Sequence, residues 1–330
     1  MTVEAARSTT VARKLIPGIL LGFLILLALI LLGDLRKVSA VVTGFEWRFF
    51  PFVLLLTLFN YALRFLKWHF YLRQMGVRLP WRESLKLFVG GFPLAVTPGK
   101  LGEVLKAVWV NQRSGLPVAK GVSVVVAERI SDGLAVLALS TLGVAAYPQY
   151  WPAFLLVLTL LAAIIVVSQV RPLALFLLKV GEKLPLIGRR VSILHEFYEG
   201  SYTLFKPGAT LLAVSLGTVS WLGEGVGFYL VLVGLGLPPG YWLLSVAVFI
   251  LAFSTVVGAV STLPGGLGAA EVSIAGMLAL IVRPDAAVAS AATLLIRLAT
   301  LWLSIALGLS VWALAPELVG MGKNGTANAR

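Results

Sequence analysis

The chain has 330 residues, of which 59% are hydrophobic and only 12% carry a charge. A soluble core of this size could not hide so much apolar surface, so the composition excludes an ordinary soluble protein and indicates a polytopic membrane protein. The formal net charge of +13 resides in short basic clusters between apolar runs, which is typical of membrane proteins and does not favour a nucleic-acid partner.

Long apolar runs predict transmembrane helices, because a helix needs about 20 apolar residues to cross a hydrocarbon layer of roughly 30 Å. The first run is followed by Asp34, Arg36 and Lys37, so we interpret it as an uncleaved span rather than a secretory signal peptide. The predicted full spans are Leu15–Leu32, Phe49–Leu72, Ala119–Ala146, Trp151–Val170, Ala209–Val233 and Ala286–Leu314.

Two further apolar stretches, Ser84–Thr97 and Tyr241–Leu263, each end at a Pro-Gly motif. The first stretch is too short to cross a membrane alone. The predicted fold class is therefore all-α: a polytopic integral membrane protein with about six full transmembrane helices plus two re-entrant helices, or with eight spanning helices.

Basic residues predict the orientation, since cytoplasmic loops are enriched in Lys and Arg. The uncharged connections 147–150 and 234–240 should lie outside, and both termini should be cytoplasmic. The protein is expected in the cytoplasmic membrane of a bacterium or archaeon. Segment 171–207 is interpreted as a cytoplasmic amphipathic connector at the membrane surface, or as a simple loop. The basic clusters are Arg73, Arg78, Arg82 and Lys86; Lys100, Lys106, Arg113 and Lys120; and Arg171 through Lys206.

Landmarks in the first half of the chain recur in the same order in the second half. The motif PGxLG begins at Pro98 and again at Pro264. The enrichment of Lys and Arg in cytoplasmic loops places turns at equivalent positions of the two halves on opposite sides of the membrane. We therefore predict two inverted repeats, 49–146 and 209–314. Both lie within a single membrane domain, 1–330. A separation of 26 residues between a glutamate and an arginine also occurs twice: Glu103 to Arg129, and Glu271 to Arg297.

Each PGxLG motif should end one half-helix and begin another, because proline removes a backbone donor and glycine permits a sharp reversal. Lipid cannot satisfy the freed backbone groups, so the break must be covered by protein or must face water. We predict two re-entrant hairpins, 84–112 and 241–282, that enter from opposite faces and meet at one central site; alternatively, the second pair crosses fully. The predicted break residues are Pro98, Gly99, Gly102, Pro264, Gly265, Gly266 and Gly268.

Several charged residues fall where the membrane interior is predicted. Each would cost about 2.5–3.5 kcal/mol at the bilayer centre, so they must pair or line water. The pairs Glu103–Arg129 and Glu271–Arg297 are the least costly arrangement, although each glutamate could instead cap a half-helix. Half-helix N-termini and Lys100 favour a phosphate, and a cavity with both signs suits a zwitterionic or phosphate-bearing headgroup. The candidate substrate-binding residues are Lys100, Glu103, Glu128, Arg129, Asp132, Glu271 and Arg297.

The sequence offers little for other chemistry. The absence of cysteine excludes disulfides and thiolate ligands, and the two histidines, His69 and His195, are far apart, so no metal site is predicted. We find no nucleotide-binding loop and no nucleophile elbow, so no cofactor is predicted. An intramembrane lipid-modifying transferase that uses Glu128 and Asp132 as acid and base is an alternative.

Three groups of residues together resemble the transmembrane region of bacterial lysylphosphatidylglycerol synthases and their stand-alone flippase-like relatives, over about Leu15 to Leu314. In the bifunctional members a soluble domain transfers lysine to phosphatidylglycerol and the membrane region moves the product. Since few residues follow Leu314, we expect no transferase domain. The matching groups are Thr97-Pro98-Gly99-Lys100 with Gly102-Glu103, Glu128-Arg129 with Asp132, and Pro264-Gly265-Gly266-Leu267-Gly268 with Glu271.

This resemblance implies a lipid flippase-like transporter rather than an enzyme, which moves a phosphate-bearing or aminoacylated headgroup through a central polar cavity. Lys100 would contact phosphate, the acidic residues would contact an amine or a proton, and Arg129 and Arg297 would be counter-ions or phosphate contacts. The expected partners are a membrane lipid, either a phospholipid or an isoprenoid lipid or glycolipid, and a separate synthase. A further alternative is an accessory subunit of a separate lipid or glycolipid synthase.

Overall fold

The computed structural model describes residues 20–22, 24–25, 34–97, 102–144, 151–182 and 191–319. Every regular element among these residues is helical, so the predicted all-α fold class is confirmed. Most of the predicted first span lies outside the described residues. The α-helices are α1 (Leu35–Thr43), α2 (Phe50–Gln74), α3 (Trp81–Gly90), α4 (Val104–Ser114), α5 (Val118–Val144), α6 (Trp151–Gln169), α7 (Arg171–Glu182), α8 (Val191–Leu204), α9 (Pro207–Gly234), α10 (Tyr241–Val260), α11 (Ala269–Met277), α12 (Ala286–Arg297) and α13 (Leu303–Leu314).

The polytopic character of the chain is also confirmed. Helix α5, with 27 residues, has the length to cross but contains four charged side chains, and α6 has 19 residues. The total number of crossings stays a prediction. The five described segments that are long and apolar enough to cross a membrane are Trp47–Gln74, Pro207–Gly234, Tyr241–Val260, Pro264–Val282 and Ala286–Leu314.

The helices that flank the two Pro-Gly motifs differ in length. Helices α3 and α4, which flank the first motif, have 10 and 11 residues. At 1.5 Å per residue each is roughly 15 Å long, about half of what a crossing needs. By contrast, Tyr241–Val260 and Pro264–Val282 have 20 and 19 residues. The first pair therefore fits a re-entrant hairpin, and the second pair has the length for either arrangement.

The chain divides into two compact units. The α5 unit contains residues 59–84 and 104–223, and the α10 unit contains the described residues up to 58 together with 85–103 and 224–319.

Small residues bring the helices of the α5 unit close together. A Cβ on Gly121 of α5 would lie 2.8 Å from the Cβ of Ala107 on α4. A Cβ on Gly200 of α8 would lie 3.1 Å from the Cβ of Ser123 on α5. Such contacts are typical of membrane helices, where small residues allow backbones to approach. They bring α4 and α8, which belongs to the predicted connector, against α5.

Helices α10 and α11 of the other unit are joined by a tight glycine contact. Gly258 of α10 faces Gly266, which belongs to the 3₁₀ turn Pro264–Gly266 before α11. The hydroxyls of Ser254 and Ser273, at 3.0 Å, link the same two helices. The backbone reversal between α10 and α11 therefore depends on the absence of side chains at this contact.

Gly266→Ala should destabilise the protein by about 2–4 kcal/mol, through strain and overpacking. Its Cβ would lie 2.9 Å from Gly258 Cα, and φ at this residue is +67°. Thermal unfolding in detergent measures the effect. Gly276→Ala in α11 is the matched control, since its Cβ would meet nothing within 4 Å. Equal melting temperatures for the two variants would contradict the packing described here.

Candidate functional site

Helix α5 places two carboxylates on one face. Glu128 and Asp132 are four residues apart, about one helical turn, and are 0% and 5% exposed. Lys106 Nζ lies 2.7 Å from Glu128 Oε2, and Lys67 Nζ lies 2.5 Å from Asp132 Oδ1. Because a buried ion needs a close partner, these pairs explain how the apolar unit tolerates both acids.

Asp132 is surrounded by further donors. Arg64 Nε and Arg129 Nη2 lie 3.7 and 3.6 Å from Asp132 Oδ2, and Trp221 Nε1 donates to Asp132 Oδ1 at 3.3 Å. Four basic and two acidic side chains thus form one group, which we call the charged cluster: Arg64, Lys67, Lys106, Glu128, Arg129 and Asp132.

Two tryptophans cover cations of the charged cluster. Lys106 Nζ lies 4.5 Å from the ring centre of Trp68, and the Arg64 guanidinium lies 5.6 Å from that of Trp221. Both distances are typical of cation–π contacts, which are strongest where water is excluded. The aromatic rings therefore help to hold positive charge in an apolar part of the chain.

Some buried polar atoms of this region form no hydrogen bond to any described residue. Asn60 donates from Nδ2 to the carbonyl and the hydroxyl of Ser220, both at 3.1 Å, but its own oxygen accepts no hydrogen bond from the part of the chain that the structure describes. Most buried polar atoms in native proteins are paired, so the region has spare capacity for a polar ligand or water. The atoms concerned include Arg64 Nε, Asp132 Oδ2, Glu128 Oε1 and Asn60 Oδ1.

In the α10 unit, Glu271 anchors the second PGxLG motif. Its Oε1 lies 2.5 Å from Arg297 Nε, and its Oε2 accepts from the N–H of Gly268 at 2.7 Å. The glutamate is 1% exposed, and Arg297 also donates to the carbonyl of Gly265 at 3.5 Å. The predicted Glu271–Arg297 pair is thus present. The same carboxylate also caps the N-terminus of α11, which was the alternative role predicted for this glutamate. Both carboxylate oxygens are hydrogen-bonded, which favours a role in positioning the backbone break.

A hydrogen bond joins Gly102, the last residue of the first PGxLG motif, to Thr97, the residue that precedes the motif. Gly102 donates its N–H to Thr97 Oγ1 at 2.8 Å, and that hydroxyl donates to the carbonyl of Leu94 at 2.7 Å. A Cβ on Gly102 would lie 2.7 Å from Thr97 Oγ1. Any side chain at position 102 would therefore clash with Thr97.

The flanks of the two motifs are in contact within the α10 unit. A Cβ on Gly265 would lie 3.0 Å from Cγ1 of Val96, the residue two before Pro98. Gly265, Gly266 and Gly268 have φ values of +63°, +67° and +85°, and α11 begins only at Ala269. A shared site requires such a contact, and the re-entrant hairpins themselves stay a prediction.

Comparison with known proteins decides the family. A family model described as the lysylphosphatidylglycerol synthase TM region matches residues 19–308. The chain belongs to this family. It is also similar to a UPF0104 membrane protein of Methanothermobacter thermautotrophicus, with 29% identity over 311 residues that cover 87% of this chain and 90% of the relative. The resemblance expected from the motifs is therefore confirmed.

Several residues of the family-like motifs are not in the described part of the chain. Pro98, Gly99 and Lys100 lie outside it, so the phosphate contact expected of Lys100 stays a prediction. Glu103 is described, in the turn before α4, and is 5% exposed. Its expected pairing with Arg129 also stays a prediction.

Three basic residues of the charged cluster were not predicted as site residues from the sequence. Arg64 and Lys67 lie within the apolar run that predicted α2, where an ionisable residue is itself a signal of function. Lys106 was counted in a cytoplasmic basic cluster and also fell within the predicted hairpin 84–112; it is 4% exposed in α4 and paired with Glu128, so it is not a loop residue. A loop and a buried half-helix can have the same local charge pattern, and only the partner distinguishes them.

Proposed function

We propose that this chain moves the headgroup of a phosphate-bearing or aminoacylated membrane lipid across the cytoplasmic membrane. The proposal rests on the charged cluster, where four basic and two acidic side chains meet within a membrane protein. Such charges are costly in lipid and usually mark a path for ions or polar substrates. Membership of a family named for a lipid synthase membrane region supports a lipid as that substrate.

The excess of basic groups favours phosphate as the recognised group. Arg64 and Arg129 lie 3.7 and 3.6 Å from Asp132 Oδ2, beyond ordinary hydrogen-bond length. A phosphate oxygen could accept from both guanidinium groups, which bind phosphate well. Asp132 would keep Lys67 as its partner meanwhile, so phosphate binding would not break the shortest ion pair of the cluster.

The acidic members supply the complementary contact for an aminoacylated headgroup. Glu128 Oε1 and Asp132 Oδ2 accept no hydrogen bond from the described residues. An ammonium group would find acceptors there without displacing either lysine. One cluster thus has donors for a phosphate and acceptors for an amine.

Arg64→Gln should slow lipid movement by about tenfold to a hundredfold, the usual range for one lost hydrogen bond to a charged group. The assay uses proteoliposomes with fluorescent phosphatidylglycerol and a membrane-impermeant quencher, which reports transfer between leaflets. The matched control is Arg113→Gln, which removes an arginine that pairs with Glu83 and has a side chain 34% exposed. The control should transport at the wild-type rate.

Two outcomes would overturn this proposal. One is an unchanged rate in Arg64→Gln while the variant remains folded. The other is equal acceleration by the protein, over protein-free liposomes, of the transfer of fluorescent phosphatidylglycerol and of a neutral diacylglycerol, since a headgroup carrier must distinguish them. Fluorescent lysyl-phosphatidylglycerol and a polyprenyl phosphate, run in the same assay, would separate the candidate cargo classes.

A further inference from the structure

A second feature of the α5 unit is an apolar groove formed by α5, α6, α7 and α8, with a volume of about 420 Å³. Its lining includes Val126 of α5, which is two residues from Glu128 and therefore about 200° around the helix. The groove and the charged cluster thus occupy different faces of α5. Leu160 and Ile164 on α6 line the groove and are 61% and 39% exposed, so the groove is open at its side.

Three hydroxyl groups interrupt the carbon lining of the groove. Ser168 and Ser201 donate to the carbonyls of Ile165 and Phe197 at 2.7 and 2.9 Å, so both are satisfied within their own helices. Tyr198 differs: it is 6% exposed, and its hydroxyl has no hydrogen-bond partner among the described residues. Burial raises the pKa of the Tyr198 phenol, so at neutral pH the group is a donor that requires an acceptor.

A charged pair lies beside Tyr198. Helix α7 begins at Arg171, and both Arg171 and Glu199 act electrostatically on the Tyr198 hydroxyl. The Arg171 guanidinium lies 5.5 Å from the ring centre of Tyr202, one turn beyond Tyr198, and pairs with Glu199 at 3.0 Å. One end of the groove therefore lies beside a partly exposed Arg171–Glu199 pair, while the remainder is apolar.

We propose that this groove binds one hydrocarbon chain of a phospholipid, whose first chain oxygen accepts from Tyr198 and whose phosphate lies beside Arg171. The groove is apolar and open at its side, and the chain spans a membrane, so lipid hydrocarbon is the apolar material available to fill it. A phospholipid also supplies an oxygen linkage that can accept from Tyr198 and a phosphate for Arg171, whose side chain is 55% exposed. The groove faces away from the charged cluster, so it holds a resident lipid, and this proposal does not depend on the transport proposal.

Photo-crosslinking of the full chain tests this site. The probe is a phosphatidylglycerol with a diazirine on one acyl chain, incorporated in nanodiscs, and crosslinked peptides are quantified by mass spectrometry. Ala163→Phe places a ring in the groove and should reduce crosslinking to α6 and α8 about tenfold. Ala162→Phe is the matched control, because Ala162 is the preceding, exposed residue of the same helix and does not line the groove; its yield should equal that of the wild type.

Tyr198→Phe removes one oxygen atom and retains the ring, so it keeps the test valid if Ala163→Phe fails to fold. Crosslinking should fall about threefold, as expected for one hydrogen bond. A diacylglycerol probe with the same diazirine chain should crosslink less than the phosphatidylglycerol probe, and equal yields would refute the phosphate contact.

Two further results would overturn the lipid site. Crosslinks spread evenly over exposed positions such as Leu211 of α9, and unaffected by Ala163→Phe, would mean surrounding lipid only. A change of oligomeric state in Ala163→Phe with unchanged lipid crosslinking would mean that a second copy of the chain covers the groove.

Discussion

Asp132→Asn should lower the free energy of unfolding by about 3–5 kcal/mol, the range for a buried charge that loses its partner, and should stop lipid movement. The buried charge that loses its carboxylate partner is Lys67, whose side chain is 1% exposed. Lys67→Met should be milder, because Asp132 would still have Arg64 and Arg129 within 3.7 Å. Thermal unfolding in detergent and the proteoliposome assay measure the two effects separately.

A double variant separates a structural role of this pair from a transport role. Lys67→Met combined with Asp132→Leu removes both buried charges, and apolar replacement of a buried pair is often neutral for stability. Arg64 and Arg129 would lose a neighbour, but their side chains are 15% and 34% exposed and so are less buried than that of Lys67, which is 1% exposed. We expect the double variant to recover most of the lost stability and to remain inactive.

Wild-type transport by that double variant would mean that the Lys67–Asp132 pair has only a structural role. The transport proposal, which rests on the charged cluster, would then lose its main support. Glu83→Gln is the control for loss of one carboxylate. It breaks an ion pair with Arg113 whose side chains are 29% and 34% exposed, and such pairs contribute less than about 1 kcal/mol.

Hydropathy predicted most of the helices because lipid sets their length. The predicted spans Phe49–Leu72 and Ala209–Val233 correspond to α2 and α9, which differ from them by at most two residues at either end. The first Pro-Gly stretch was harder to place, since α3 and α4 are short and carry several charges that also occur in loops. Average hydropathy does not report how deep a half-helix lies.

Site residues could be predicted from the sequence where a charged residue lay in an apolar run or where the separation of two charged residues occurred twice. Glu128 and Asp132 were identified because acids are unusual at membrane depth, and Glu271 was matched to Arg297 because the same separation occurs twice. The partner of Asp132 could not be derived in this way. Lys67 is 65 residues away on α2, and no repeat links them, so the pairing depends on how α2 packs against α5.

Glu271→Gln should lower the free energy of unfolding by about 3–5 kcal/mol and reduce lipid movement in parallel. The amide could still accept from the N–H of Gly268, but it would leave Arg297, whose side chain is 14% exposed, without its carboxylate. The break between α10 and α11 would then lose the group that ties it to α12. Thermal unfolding and transport are measured on the same preparations.

The relation between these two measurements decides the role of Glu271. A positioning role requires that melting temperature and transport fall together, whereas a direct headgroup contact would reduce transport in a variant of unchanged stability. Ser273→Ala in the same helix is the control: it removes only the 3.0 Å contact with Ser254, which is worth about 1 kcal/mol. Wild-type stability and transport in Glu271→Gln would contradict both roles, because both oxygens of the carboxylate are bonded at the break.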